Sequence, residues 1–244
     1  MSWILPNWPA PEHIKALSTN RLGGFSNSPY QGLNLGQHVG DDANIVAKNR
    51  DWLVNAAELP CSPIWLNQTH STHVLEINQS TNNVFDADGT YTSQSDIVCC
   101  VMTADCLPVL LTNTDGSQVS AVHAGWRGLV GGILENAVAK MHGEIMAWIG
   151  PAIGPEAFEV GDDVRRQFLA VSSDFSEAFV ETSTKGKWMA NMSLLATKRL
   201  NAVGVESVYS SDICTFQDSQ RYFSYRRDGV TGRQASVIWI DSKK

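Results

Sequence analysis

Apolar positions along the chain fall into two patterns. Short runs rich in β-branched and aromatic residues predict strands: IKALST, PIWLNQ, HVLEI, DIVCCVM, PVLLTN, QVSAVHA, IMAWIG, VESVYS, RYFSYRR and ASVIWI. Longer segments with a start signal predict helices. Asp41 or Asp42 can cap ANIVAKNRDWLVNAAEL, Gly128 opens LVGGILENAVAKMHG, and Asn191 precedes MSLLATKRLNAVG, with a weaker helix at DDVRRQFLA. Asp115-Gly116 lies between PVLLTN and QVSAVHA, and Asp228-Gly229 lies between FSYRR and ASVIWI, so both pairs read as hairpins. Strands outnumber helices and many are joined by short turns. The expected fold class is therefore mixed α+β, with largely antiparallel sheets covered by helices. Neither a repeat nor a Pro/Gly/Ser-rich linker divides the chain, so a single domain over residues 1–244 is expected.

Composition narrows the class. With 43% apolar and 18% charged residues, the 244-residue chain can build a real core, which excludes disordered and collagen-like classes. The net charge of −7 and a pI near 5.3 give a field that repels polyanions, so nucleic acid is not expected as the main partner. MSWILPNWPAPEH lacks the basic start and apolar run of an export signal, and IVCCVMTADCLPVLL is broken by Thr103 and Asp105, short of the ~20 residues a membrane span needs. No membrane partner is expected. Five cysteines, an odd number at low density, fit a reducing and hence cytoplasmic location. Dinucleotide and P-loop readings have no glycine motif behind them.

Three segments place reactive side chains at breaks between elements. His70 and His73 stand in NQTHSTHV; in an extended backbone they would face opposite sides, and His70, beside Gln68, is the stronger site candidate. A hydrogen-bonded turn histidine is the alternative. Cys99 and Cys100 sit within an apolar run and read as core, whereas Cys106 follows Asp105 between two strand-like runs, where a thiol is either reactive or structural. Alternation puts Val119, Ala121 and His123 on one strand face, and WRGLVGGIL then starts a helix. Its free N–H groups and Arg127 make a plausible anion site, unless Arg127 only solvates the helix start. Two imidazoles and a thiolate, from His70, Cys106 and His123, suit tetrahedral zinc with one open position.

The segments TADCLPVLL, AVHAGWRG, WIGPAIGP, LNQTH, FSYRRDGVTGR, RLGGFS and LNLGQHVGDD resemble the bacterial YfiH family, formerly called multicopper polyphenol oxidase or laccase-like. The resemblance spans nearly the whole chain. It implies a fold related to cysteine-hydrolase toxins of the cytotoxic-necrotizing-factor kind, and zinc on His70, Cys106 and His123. It also implies purine nucleoside phosphorylase activity on adenosine, inosine and methylthioadenosine, with adenosine deaminase activity beside it. A role as a peptidoglycan editing factor, acting on a muramyl-serine precursor, is a further implication.

Phosphorolysis needs cations and N–H donors for phosphate: Arg127 and the helix start are the first candidates, Arg21 and Asn34 weaker ones, with Gln68 as a further substrate contact. The expected partners are thus a small nucleoside and phosphate; the oligomeric state stays open. Deamination needs a proton-transfer group, and with no H-x-E after either histidine, Asp105 is the remaining candidate. Six histidines without an H-x-H pair are too few for several coppers, although one His-Cys-His copper remains. A Cys–His hydrolase, with Cys106 as nucleophile and His123 as base, and a binding domain without catalysis are the other readings.

Overall fold

The computed structural model describes residues 3–243. The chain begins with β1 (Ile14–Ser18), reaches α1 (Ala43–Ala56) through a long irregular segment, and continues through β2 (Leu66–Asn67), β3 (Val74–Glu76), β4 (Phe85–Asp86) and β5 (Gly89–Thr92). The central strands β6 (Cys99–Thr103), β7 (Leu107–Asn113) and β8 (Val119–Ala124) follow, then α2 (Trp126–Gly131), α3 (Ile133–Val138) and β9 (Ile145–Ile149). The last third holds β10 (Glu159–Gly161), α4 (Asp162–Val171), β11 (Phe179–Glu181), β12 (Lys187–Ala190), α5 (Met192–Ala202), β13 (Ser207–Ser210), α6 (Tyr225–Asp228) and β14 (Gln234–Ile240).

A six-stranded sheet, ordered β13-β9-β7-β8-β5-β3, is antiparallel except at its two edges, where β13 runs parallel to β9 and β3 to β5. A three-stranded antiparallel sheet, β1-β14-β6, packs against it, and the contact is apolar because period-2 alternation sends Cys99 and Val101 of β6 toward Leu110 of β7 and Ala121 of β8. The other face of β6, Cys100 and Met102, meets Leu53 of α1. Val109, Leu111 and Val122 point to the opposite side, against Leu129, Ile133, Leu134 and Leu195 of the helices. The layers are thus helix, sheet, sheet, helices, the mixed α+β class with largely antiparallel sheets that the sequence predicts. Cys99 and Cys100 are core residues, 0% and 1% exposed.

Local chemistry explains most boundaries. Asp42, rather than Asp41, caps α1 by accepting from the N–H groups of Asn44 and Ile45, and Asn191 caps α5 by accepting from that of Leu194. The Asp115-Gly116 hairpin forms as expected, joining β7 to β8. Two expectations are corrected. The helix starts at Trp126, as the WRGLVGGIL reading has it and not at Gly128, and it breaks at Gly132, whose φ of +98° ends α2 in a left-handed cap. Arg199 fills the break, donating to the Val130 carbonyl and pairing with Glu135. RYFSYRR is not a strand, and Asp228-Gly229 does not turn a hairpin: Tyr222 and Phe223 are fully buried, which gives the run its strand-like look, but Ser224 caps the short helix α6. The short strands β4, β5, β10, β11 and β12 had no expectation behind them. No helix among the described residues is long and apolar enough to cross a membrane.

Candidate active site

Three elements end at one point. His123 closes β8, Cys106 stands in the turn between β6 and β7, and His70 follows β2. Their donor atoms all lie within 4.8 Å of one another, with His70 Nε2 3.8 Å from Cys106 Sγ and the two imidazole rings edge to face at 4.9 Å. His70 is exposed, Cys106 half-buried and His123 buried. The backbone between His70 and His73 is not extended: the chain bends there and His70 has φ of +60°. His73 points elsewhere, to the Asp86 carbonyl. Asp105, next to Cys106, has φ of +100°. Two such left-handed non-glycine residues beside the same cluster cost free energy that the surrounding structure must offset.

Asp88, which the sequence reading passed over, holds the cluster together. Its fully buried carboxylate accepts from His123 Nδ1 at 2.8 Å and the His70 N–H at 3.0 Å on one oxygen. The other oxygen takes the Ser71 N–H at 2.6 Å, the Ser71 hydroxyl at 2.7 Å and the Thr69 N–H at 3.2 Å. Its carbonyl accepts from the His123 N–H. Burial alone would raise the Asp88 pKa; the donors of His123 and Ser71 overcome it and hold the carboxyl at about 2. With Nδ1 committed to Asp88, the His123 Nε2 is left for the cluster. Burial also opposes the charges on Cys106 and His123, but each stabilises the other: the thiol falls to about 6 and the imidazole rises to about 9, helped by Asp88 and, for the thiol, by His70.

Gly125, between His123 and α2, gives the cluster its space. A Cβ there would meet His70 Cδ2 at 2.6 Å and Cys106 Sγ at 3.2 Å, so only glycine lets the side chains converge.

The cluster opens into a chamber of about 430 Å³. Arg127, Arg233 and His38 line it together with Gln68 and Tyr225, and among the described residues no carboxylate does. Among the described residues, no Asp or Glu pairs with Arg127 or Arg233. Arg127 lies 4.4 Å over the Trp126 ring. Arg233 is fixed by its own guanidinium donating to the carbonyls of Thr231 and Gly232. The His38 imidazole is pushed below its ordinary pKa by burial first and then by Arg233 and Arg50. Gln68 is locked by donating to the Met102 carbonyl and accepting the Met102 N–H.

The remaining candidates lie outside this chamber. The Asp105 carboxylate accepts from the Thr215 hydroxyl at 2.7 Å, the Ser224 hydroxyl at 3.0 Å and the Arg226 N–H at 2.7 Å, so it ties α6 to the Cys106 turn. Arg21 stacks 4.7 Å over Phe223 and donates to the carbonyls of Gln31 and Ser219. Asn34 is fully buried; its side-chain oxygen accepts the Arg233 N–H at 2.9 Å, so it bears on the chamber only by placing Arg233. Asp88 could have been suspected from the acidic residues just before a strand glycine in DADGTYT, and Arg233 and Tyr225 from the basic and aromatic FSYRRDGVTGR.

The family model described as multi-copper polyphenol oxidoreductase laccase matches residues 15–241. A relative from Haemophilus influenzae named purine nucleoside phosphorylase is 48% identical over 99% of this chain and 100% of its own. One from Escherichia coli, named purine nucleoside phosphorylase YfiH, is 47% identical over 97% of this chain and 98% of its own. The crystal structure of a Neisseria meningitidis protein superposes with a TM-score of 0.94 at 44% identity, covering 99% of this chain and 100% of that one. YlmD from Geobacillus stearothermophilus gives 0.91 at 28% identity, covering 99% and 97%.

Proposed function

The chain belongs to the YfiH family, whose model carries the laccase description, and from that premise we propose that it is a purine nucleoside phosphorylase acting on adenosine, inosine and methylthioadenosine. One observation carries the reading. An acidic protein devotes a chamber with two arginines, neither of them paired with a carboxylate among the described residues, to the mouth of a His–Cys–His cluster, which is what an anionic co-substrate requires. The names of the closely similar relatives point the same way.

The cluster fits zinc by its donor chemistry. His123 is oriented by a carboxylate on its far nitrogen, Cys106 is held toward thiolate, and Gly125 keeps the space free. His70, Cys106 and His123 would hold the ion, which when bound supplies Lewis acidity at the chamber mouth. A multi-copper site needs several such clusters, and the described residues form one group of three metal-competent side chains.

In the proposed reaction, the guanidinium forks of Arg127 and Arg233 hold phosphate and fix its attacking oxygen toward the anomeric carbon. The glycosidic C–N bond breaks as the new C–O bond to phosphate forms; the base leaves with the electron pair and takes up a proton, giving free base and ribose 1-phosphate. Gln68 and Tyr225 border the sugar. We assign Asp105 to positioning, since its carboxylate already accepts three hydrogen bonds.

The test is base release from adenosine and from inosine by metal-loaded protein, with and without phosphate, the products being separated. Release that requires phosphate and yields ribose 1-phosphate is expected. Phosphate-independent release with free ribose, or no release from loaded protein, would overturn the proposal. Inosine or hypoxanthine formed from adenosine measures deamination as a side activity.

A further inference from the structure

A second, smaller cavity of about 120 Å³ opens on the other side of Cys106. Its walls are Trp126, Phe158, Met192, Ile153 and Tyr225, and it shares Ala104, Cys106 and Tyr225 with the cationic chamber, so the two spaces adjoin at these residues. Two charged residues border the slot, Asp105 and Arg226. Asp105 accepts its three hydrogen bonds, and Arg226 lies 5.0 Å over the Phe158 ring while donating to the Glu159 carbonyl. Tyr225 is 61% exposed, a large aromatic side chain left open at the boundary of both spaces.

We infer that this slot is the base subsite: it takes the purine ring of the nucleoside, with the ribose passing Cys106 into the cationic chamber. The inference rests on the phosphorylase reading and deepens it. Of the three parts of the reaction, only the base suits the slot. Phosphate would leave the two arginines of the chamber for walls that are mostly apolar, and a ribose would bury hydroxyls against those walls, which costs free energy. A flat ring with apolar faces needs aromatic and aliphatic walls, and Trp126, Phe158 and Tyr225 supply three aromatic ones. Trp126 also joins the two spaces physically, because it carries Arg127 on its ring. A slot of this kind reads ring shape.

The experiment is calorimetric titration of hypoxanthine, and separately of inorganic phosphate, into metal-loaded wild type, Phe158→Leu and Tyr225→Leu, with metal content and melting temperature measured for each. Tyr225→Leu changes an exposed side chain and keeps the test valid if Phe158→Leu loses its fold. Loss of base affinity by about tenfold, with phosphate affinity and metal content unchanged, is expected. Hypoxanthine binding as tight in both folded variants as in wild type, or no binding to wild type, would overturn the assignment. Titration requires no turnover. A base that binds in a slot-dependent way to a protein without phosphate-dependent cleavage would therefore sink the phosphorylase reading and leave the slot standing.

Discussion

Replacing Asp88 with Asn changes one oxygen into an NH2 group and nothing in size. The site should not tolerate it, because every neighbour that Asp88 meets is used as a donor: His123 Nδ1 and the His70 N–H on one oxygen, the N–H groups of Ser71 and Thr69 with the Ser71 hydroxyl on the other. Whichever way the amide turns, its NH2 faces at least two of them. The Ser71 hydroxyl can rotate to accept, but a backbone N–H cannot. Each buried donor left unpaired costs about 1–3 kcal/mol, so two give roughly 2–6 kcal/mol. At about 2–4 °C per kcal/mol for a chain of this length, the melting temperature of metal-free protein should fall by at least about 4 °C. If the amide faces His123, that imidazole can regain a bond only by moving its proton to Nε2, the nitrogen that the metal needs. Zinc affinity, measured by competition with a chelating dye, should fall about 10- to 100-fold. Melting metal-free protein separates the folding loss from the metal loss. An Asp88→Asn variant with wild-type melting temperature and zinc affinity would refute the reasoning.

Other perturbations test neighbouring steps. Gly125→Ala sets a methyl group 2.6 Å from His70 Cδ2, and zinc content should drop below half of wild type in protein whose far-ultraviolet circular dichroism is unchanged. In metal-free protein, iodoacetamide should label Cys106 with a rate that rises through pH about 6 and levels above it, while Cys99, pushed by burial to about 12, stays unlabelled; bound zinc should protect Cys106, as peptide mass mapping would show. Arg127→Lys and Arg233→Lys each remove a two-pronged donor, so the apparent KM for phosphate should rise about tenfold while that for inosine stays within about threefold.

Apart from β5, the strands of the two central sheets were legible in the sequence because each alternates or fills its apolar positions between turn signals, as β7 and β8 do around Asp115-Gly116. His70, Cys106, His123 and Arg127 were legible because each sits where such a run ends beside polar residues and glycine. Asp88 was not, since its role comes from six donors on two other segments, and acidic residues before a glycine have the pattern of any turn. Arg233 and Tyr225 were hidden for a different reason. The aromatic run around them has strand composition, but Asp105, from a distant turn, accepts from Ser224 and the Arg226 N–H and draws the segment into α6 instead. Arg21 and Asn34 show the converse: polar residues in a family-like segment whose bonding is spent on cation–π stacking and on placing Arg233.

The central claim is that phosphate becomes bonded to the sugar. Phosphorus-31 spectroscopy of inosine, phosphate and metal-loaded protein follows that atom itself. The account predicts that the orthophosphate signal declines and a ribose 1-phosphate signal grows in step with hypoxanthine, one for one, and that the rate falls when Arg127 is replaced by Lys. Hypoxanthine appearing while orthophosphate stays constant would contradict it.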